Sequence, residues 1–285
     1  MNFKRILLIF LVSFTLLDVF LFFMVVVNVR FTSIGRQTSA NDIVMKEISN
    51  ESISFNGHLA KDSHTGYYYS MSKGNDTNSL QGKTGHLHGQ TTRFENSLLT
   101  STFTHPIKND VVTKTNNFDR IVHDPKKILH GQDYYYNNDL SSKHYVVYTE
   151  KLDGRPVMGE DGRLTFRINR NNQIVGYTQS YLKPGRILRP WKKTISQQQA
   201  VIELYKHNEL PSNSKIHWVD LGYTRLLSTK NKSVYVPTWV AAVRVKNGGK
   251  TQHLKVNALT GTVIKNDNLV VNVGNSTTTS RPNVE

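Results

Sequence analysis

The sequence predicts an α+β protein: an N-terminal transmembrane helix followed by extracytoplasmic antiparallel β-sheets with few packed helices. Three observations support this prediction. Residues 6–27 form an almost uninterrupted apolar run, and from about residue 52 short β-rich segments are separated by turn residues. Only one later segment has clear helical spacing. We therefore expect antiparallel sheets with that helix packed on one face.

The apolar run has the dimensions of a membrane span. Its 22 residues would extend about 33 Å as a helix, which matches a hydrocarbon core of about 30 Å. The residues that follow are bulky or β-branched, so we expect an uncleaved signal anchor. Lys4 and Arg5 precede the run in a stub too short to fold, although Arg30 and Arg36 follow it. The prediction is a single-pass cell-membrane protein with a cytoplasmic N-terminus.

Asp18 lies near the middle of this run, where a carboxylate costs about 2.5–3.5 kcal/mol on insertion scales. One interpretation is a tolerated, neutral side chain that faces lipid. The other is a contact with a neighbouring span, because four residues at i, i+4, i+7 and i+11 share one helix face: Leu11, Thr15, Asp18 and Phe22. Interhelical hydrogen bonds from Thr15 and Asp18 would contribute roughly 0.6–2 kcal/mol. These four residues are the predicted transmembrane partner contact.

The outer part contains a compact β-meander over residues 145–182. Two Asp-Gly dipeptides mark turns, and "RLTFRI" at 163–168 alternates apolar and polar residues. This pattern predicts antiparallel strands with one buried face.

The clearest helix follows the meander. Ser196 and Gln199 form a capping box, Val201 and Leu204 follow at helical spacing, and the helix must end before Pro211. Further strands are predicted over 217–226, 234–245 and 253–264, the last with a tight turn around Gly261 that requires positive φ.

These features divide the chain into six predicted segments. The stretch 72–93, rich in Gly, Asn, Ser, Thr and His, is expected to be a long solvated loop. The segments are a cytoplasmic stub (1–5), a transmembrane anchor (6–29), a stalk (30–48), two extracytoplasmic α+β units (49–144 and 145–270) and a disordered tail (271–285).

Composition limits the possible functions. The chain has no cysteine, which excludes disulfides, zinc–thiolate sites and cysteine nucleophiles. The net charge of +15 has two interpretations: a basic solvated surface, or a surface that meets an anionic membrane or an anionic wall polymer. No long block of lysine and arginine occurs, so nucleic acid is not a predicted partner.

No motif predicts catalysis, a cofactor or a metal. His86 and His88 could face one side of a strand, but a metal site needs more ligands. The serine-hydrolase signature G-x-S-x-G is missing, and Glu160 and Asp161 lie in a turn next to Gly162. The three tryptophans are expected to be core or sheet-face aromatics. We therefore expect a protein that is not an enzyme.

Several segments, taken in order, resemble the YycI (WalI) family of membrane-anchored regulators. They are the N-terminal apolar stretch with its acidic residue, "LTFRINRNNQIVGYTQSYL" at 164–182, "AVIELYKHNELPSNSKIHWVDLG" at 200–222, "YVPTWVAAVR" at 235–244 and "VNALTGTVI" at 256–264. The resemblance covers the anchor and the C-terminal half and is patchy over 49–144.

The resemblance implies a non-enzymatic, single-span protein of a Gram-positive bacterium. Members of the family act with a sister protein, YycH, on the essential sensor histidine kinase YycG (WalK), which controls cell-wall metabolism with its response regulator. Contacts between spans and between outer domains are expected to carry this action. The loop 72–93 and the polar tail are longer or more polar than the family pattern.

An alternative function belongs to another class. A sheet-plus-helix unit that ends in a V-N-A-x-T-G-like hairpin also resembles PepSY-type domains. The chain would then be a membrane-anchored peptidase-inhibitor or a module that binds an anionic cell-wall polymer.

Overall fold

The computed structural model describes residues 3–73, 80–108, 114–229 and 232–265. It divides into two compact units, Met1–Ser54 and Phe55–Glu285. The predicted tail 271–285 lies outside the described residues.

The first unit consists mainly of helix α1 (Phe3–Asn50). The large apolar side chains described between Phe10 and Phe22 are exposed. The predicted stalk 30–48 is part of this helix, and the chain leaves it at Ser52, which has φ 60°. Among the described residues, no helix is both long and apolar enough to cross a membrane. The predicted anchor over 6–29 therefore stays a prediction.

Strand β1 (Ser54–Phe55) begins at the end of the first unit, and the second unit is built from two antiparallel sheets. The other elements of the first sheet are β2 (Thr65–Lys73), β10 (Leu182–Lys193), β11 (Ser214–Ser228), β12 (Lys232–Val245), β13 (Gln252–Asn257) and β14 (Val263–Ile264). Strand β12 pairs with β11 along one edge, and β2 and β13 share its other edge. Strand β10 adds to β2, and β14 adds to β13.

The second sheet has the order β3-β4-β9-β8-β6-β5, with β7 paired to β6. Its strands are β3 (Gln90–Glu95), β4 (Leu98–Lys108), β5 (Tyr134–Tyr136), β6 (Tyr145–Leu152), β7 (Arg155–Pro156), β8 (Arg163–Ile168) and β9 (Gln173–Gln179). Each sheet takes strands from both sides of residue 144. The predicted division into units 49–144 and 145–270 stays a prediction.

An aromatic cluster occupies the core beside the second sheet. Phe166 is fully buried, and its ring centroid lies 5.3 Å from that of Phe118, 5.9 Å from Tyr177 and 6.1 Å from Tyr148. Phe118 comes from helix α2 (Lys114–Val122), so this cluster fixes the helix against the sheet. The predicted alternation of "RLTFRI" is confirmed, since its apolar residues turn inward.

Helix α3 (Gln197–Lys206) confirms the predicted capping signal. The Ser196 side chain accepts a hydrogen bond from the Gln199 backbone N–H at 3.1 Å, and Val201 and Leu204 are buried. The helix ends before Pro211, as predicted. The predicted turn glycine, Gly261, has φ +75°.

The prediction of one long solvated loop over 72–93 is wrong for most of its described residues. Strand β2 continues to Lys73, a 3₁₀ helix spans Gln81–His86, and β3 begins at Gln90. Leu80 is 1% exposed and belongs to the aromatic core cluster. Leu80, together with the partly buried Leu87, thus packs this polar segment against the core, and burial of a leucine contributes roughly 1.5–3 kcal/mol.

Candidate partner-binding surface

The four residues of the predicted transmembrane contact lie on one face of α1, as their spacing requires. All four are exposed, with Leu11 at 65% and Phe22 at 71%. The Thr15 hydroxyl donates a hydrogen bond to the Leu11 carbonyl within the same helix, at 2.8 Å. The hydroxyl oxygen can still accept a bond from another chain. Contact with a partner span stays a prediction.

A second candidate surface lies at the edge of the first sheet and was not predicted from the sequence. Strands β2 and β10 form it, and we call the pair the β2–β10 ribbon. Among the described strands β10 pairs only with β2, and every described residue from 185 to 193 is exposed. Edge strands with unpaired backbone groups are potential sites of association.

The side chains of β10 are both apolar and basic. Ile187 is 51% exposed, Leu188 42% and Trp191 55%. The five cationic residues of the strand are Lys183, Arg186, Arg189, Lys192 and Lys193. Neither strand of the ribbon contains an aspartate or glutamate. The ribbon therefore presents exposed apolar side chains among positive charges, and neither of its strands carries a negative charge.

The three tryptophans differ in environment. Trp239 is 4% exposed, and its indole N–H donates to the Ile195 carbonyl at 2.9 Å. Trp218 is half-buried and lies against His253, with ring centroids 5.5 Å apart. Both confirm the expectation of core or sheet-face aromatics, whereas Trp191 does not lie in the core. It is exposed because β10 has no neighbour on its outer side among the described strands.

The ribbon is irregular but tightly packed between its strands. Its register shifts three times along β10, which turns the strand and hinders continuous pairing with another chain. An added Cβ at Gly185 would come 1.7 Å from the Ser70 carbonyl oxygen, so only glycine permits this approach. The Arg189 guanidinium lies 5.6 Å from the ring centroid of Tyr68. These contacts fix the ribbon without a partner.

A cleft of about 330 Å³ opens beside the ribbon, between residues of both sheets. The ribbon contributes Tyr69, Met71, Leu182 and Gly185, and the second sheet with its connections contributes Asp133, Tyr135, Glu150, Lys151, Leu152 and Tyr181. The Lys151 ammonium lies over the Tyr135 ring, 4.2 Å from its centroid. The cleft therefore has aromatic walls and two carboxyl groups.

Glu150 is the most buried carboxyl of the cleft, with 7% exposure. Burial, with a smaller contribution from the Asp133 and Asp161 carboxylates, raises the pKa of its side chain to about 8. The Leu182 backbone N–H donates to Glu150 Oε1 at 2.8 Å and opposes this shift. The net effect is a raised pKa, because burial disfavours the charged form of a carboxyl group. Glu150 is thus mainly protonated at neutral pH.

His130 and Tyr181 form a pair of titratable side chains near the cleft. Their rings are stacked, with centroids 4.3 Å apart and planes 14° from parallel. The Tyr181 hydroxyl donates to Asp133 Oδ2 at 3.2 Å. Burial lowers the pKa of His130 below its usual value, so the imidazole is mainly neutral at pH 7. Among the described residues, no serine, threonine or cysteine lines this cleft, and no group of three side chains is suited to a metal ion.

Sequence reasoning missed this cluster because its members come from different strands and connections. Glu150 is the last residue of the β-rich segment "YVVYTE". A carboxyl group in such a segment was the local signal that could have indicated a buried acid. Asp133 and Tyr181 are 48 residues apart along the chain, and only the pairing of β5, β6, β8 and β9 brings them together.

Glu150→Gln is expected to remove a pH dependence of stability. The folded protein holds a proton on Glu150 that the unfolded chain releases above its usual pKa near 4.5. The free energy of unfolding should therefore fall as pH rises from about 5 through 8 in the wild type. Glutamine keeps the acceptor oxygen without titrating, so the variant should be about 2–4 kcal/mol more stable than the wild type at pH 9. Urea unfolding at pH 5, 7 and 9 measures this, and a stability difference that does not change with pH would contradict the assignment.

Comparisons with known proteins agree with the resemblance found in the sequence. A family model described as YycI protein matches residues 34–259, which is most of the chain. A search of curated proteins finds no match. Two similar solved structures are distant. An uncharacterized protein from Eubacterium rectale ATCC 33656 is 10% identical, with a TM-score of 0.47 over 75% of this chain and 91% of that one. The Bacillus megaterium YpeB C-terminal domain is 15% identical, with a TM-score of 0.33 over 79% of this chain and 94% of that one.

Proposed function

Since this chain belongs to the YycI family, we propose that it is an accessory regulator of the YycFG (WalKR) two-component system. In this function it is non-enzymatic and acts with a YycH-like membrane protein on the sensor histidine kinase YycG (WalK), which controls cell-wall metabolism. The family match over residues 34–259 is the observation that carries the proposal.

The proposed action is a shift of the kinase between two states. A bound protein can move such an equilibrium only if it binds one state better than the other. The proposal places the apolar run 6–27 in the membrane, with the N-terminus in the cytoplasm and most of the chain outside. Two surfaces are then available for contact: the face of α1 that carries Thr15 and Asp18, and the outer unit.

Asp18→Leu is expected to weaken association with the kinase and the YycH-like protein. Loss of one or two interhelical hydrogen bonds, at roughly 0.6–2 kcal/mol, corresponds to about a 3- to 30-fold lower affinity. The measurement is co-purification of the full chain with both partners from detergent-solubilised membranes. Ser13→Ala is the matched control, because it also removes a polar group but lies on the opposite face of the helix.

Replacement of residues 6–27 by a poly-leucine span tests the same point more severely. We expect association to fall at least as far as in Asp18→Leu. Undiminished association of the poly-leucine chain would show that the span carries no recognition. Absence of association in the wild type would contradict the proposed function itself.

A second candidate function is binding of an anionic cell-wall polymer by a PepSY-like outer unit. The net charge of +15 and the cationic ribbon favour it, since a polyanion binds such a surface in a salt-dependent way. Strong, salt-sensitive binding to teichoic acid, together with no kinase association, would favour this function over the first.

A further inference from the structure

The exposed side chains of β10 are of the residue types found at the centre of protein interfaces. Ile187, Leu188 and Trp191 lie within five residues and are 42–55% exposed, with arginines between and beside them. Tryptophan and arginine are enriched among residues that dominate binding energy. Such a concentration of exposed apolar side chains on a soluble unit marks a site of association.

Direct extension of the sheet by a partner strand is disfavoured at this edge. Pro190 lies in the middle of the exposed segment and has no backbone N–H to donate. The three register shifts along β10 also break the regular spacing of ladder groups. Recognition must therefore rely on side chains, and the backbone serves to position them.

The positive charge of the ribbon determines which sign of charge a partner surface must carry. Five cations occur in twelve residues of β10, and neither ribbon strand contains an acidic residue. A basic patch attracts and orients an acidic surface and repels a basic one. The partner surface must therefore carry carboxylates around an apolar pocket.

The ribbon is also ordered before any partner binds. The packing of Gly185 on Ser70 and of Arg189 on Tyr68 holds one strand on the other, and the far edge of β2 pairs with β12 at residues 232–235. Side chains held in place by such contacts lose less conformational freedom on binding. A preformed surface of this kind suits a specific complex.

We propose that the β2–β10 ribbon is the docking surface for an acidic protein surface with an apolar pocket, which receives Trp191. A wall polymer would use the cations alone and leave three large apolar side chains without a role. A protein surface uses both. The proposal rests on the proposed function for its partner, which is the kinase or the YycH-like protein of the same complex.

The first test is Trp191→Ala in the full chain, measured as affinity for the co-expressed kinase and YycH-like protein in detergent. We expect the affinity to fall about tenfold or more, as for a buried interface anchor. Tyr145→Ala is the matched control, because Tyr145 is 51% exposed against 55% for Trp191 but lies outside the ribbon. Equal affinity of the Trp191 variant and the wild type would overturn the proposal.

The second test reverses charge. Replacement of Arg186, Lys192 and Lys193 by glutamate should weaken association and its salt dependence, while Arg189 keeps its contact with Tyr68. The control replaces Lys143, Arg170 and Lys250, which are also exposed, and changes the net charge by the same amount. Equal losses in both triple variants would overturn the proposal, because they would reflect overall charge.

Two further readouts separate this inference from its competitors. Anionic phosphatidylglycerol vesicles and purified teichoic acid are offered to the wild type and to Trp191→Ala. If the tryptophan matters for vesicle or polymer binding but not for association with the two proteins, the ribbon binds lipid or polymer and the proposal is wrong. If the wild type associates with neither protein, the proposed function fails instead, so the two failures are distinguishable.

Discussion

Phe166→Ala is expected to lower the free energy of unfolding by about 3–5 kcal/mol, the usual range for a fully buried phenylalanine. Its ring is surrounded by the rings of Phe118, Tyr148 and Tyr177 at centroid distances of 5.3–6.1 Å. Removal leaves a cavity where helix α2 meets the second sheet, and aromatic neighbours cannot easily collapse into it. Domains of this kind are usually stable by only about 5–15 kcal/mol, so the variant should be close to unfolding at physiological temperature.

The measurement is urea unfolding of the full chain followed by tryptophan fluorescence, since all three tryptophans belong to the second unit. Phe166→Leu is the control, because it keeps much of the apolar volume and should lose about 1.5 kcal/mol or less. Equal unfolding midpoints for the wild type and Phe166→Ala would show that the ring is not a central packing element.

Gly131→Ala, which adds a single methyl group, is expected to lower the free energy of unfolding by about 3 kcal/mol. A Cβ at this position would lie 1.6 Å from the Val122 carbonyl oxygen and 2.7 Å from its carbonyl carbon. Both atoms belong to the backbone at the end of α2, so no side-chain rotation relieves the overlap. The helix end or the following segment must move, and with it the buried Val122 side chain.

Gly85→Ala is the matched control for this prediction. It is also a glycine-to-alanine change in the second unit, but an added Cβ would meet nothing within 4 Å, and we expect a change within about 0.5 kcal/mol. The same urea measurement applies. Unfolding midpoints that coincide for the two variants would contradict the close approach of Gly131 to α2.

Local signals in the sequence were sufficient for the β-meander, for helix α3 and for the strands that follow it. The Asp-Gly dipeptides, the capping residue Ser196 and the alternation in "RLTFRI" each act over a few residues, so they can be recognised without knowing the fold. The Gly261 turn belongs to the same class. The family resemblance was recognised for the same reason, because it rests on short segments in a fixed order.

The sites could not be predicted because they depend on long-range pairing. Trp191 is exposed because β10 lies at a sheet edge. Pro190 and the neighbouring lysines are compatible with an edge strand, but they do not show which strand β10 pairs with. Glu150 meets Leu182 across 32 residues, and the resulting pKa depends on burial that no local pattern reports. The burial of Leu80 was not predicted, because the residues around it in the sequence are polar.

The sheet order has a consequence for how the chain is made. Strand β2 ends at Lys73, but its neighbour β10 begins at Leu182 and its other neighbour β12 at Lys232. At about 5–20 residues per second, ribosomes need several seconds or more to complete the first of these partners. During that interval the segment "TGYYYSMSK", which is rich in tyrosine and has no aspartate or glutamate, lacks both strands that pair with it in the folded protein. A nascent or truncated chain that stops before residue 182 should therefore need a chaperone to stay out of aggregates.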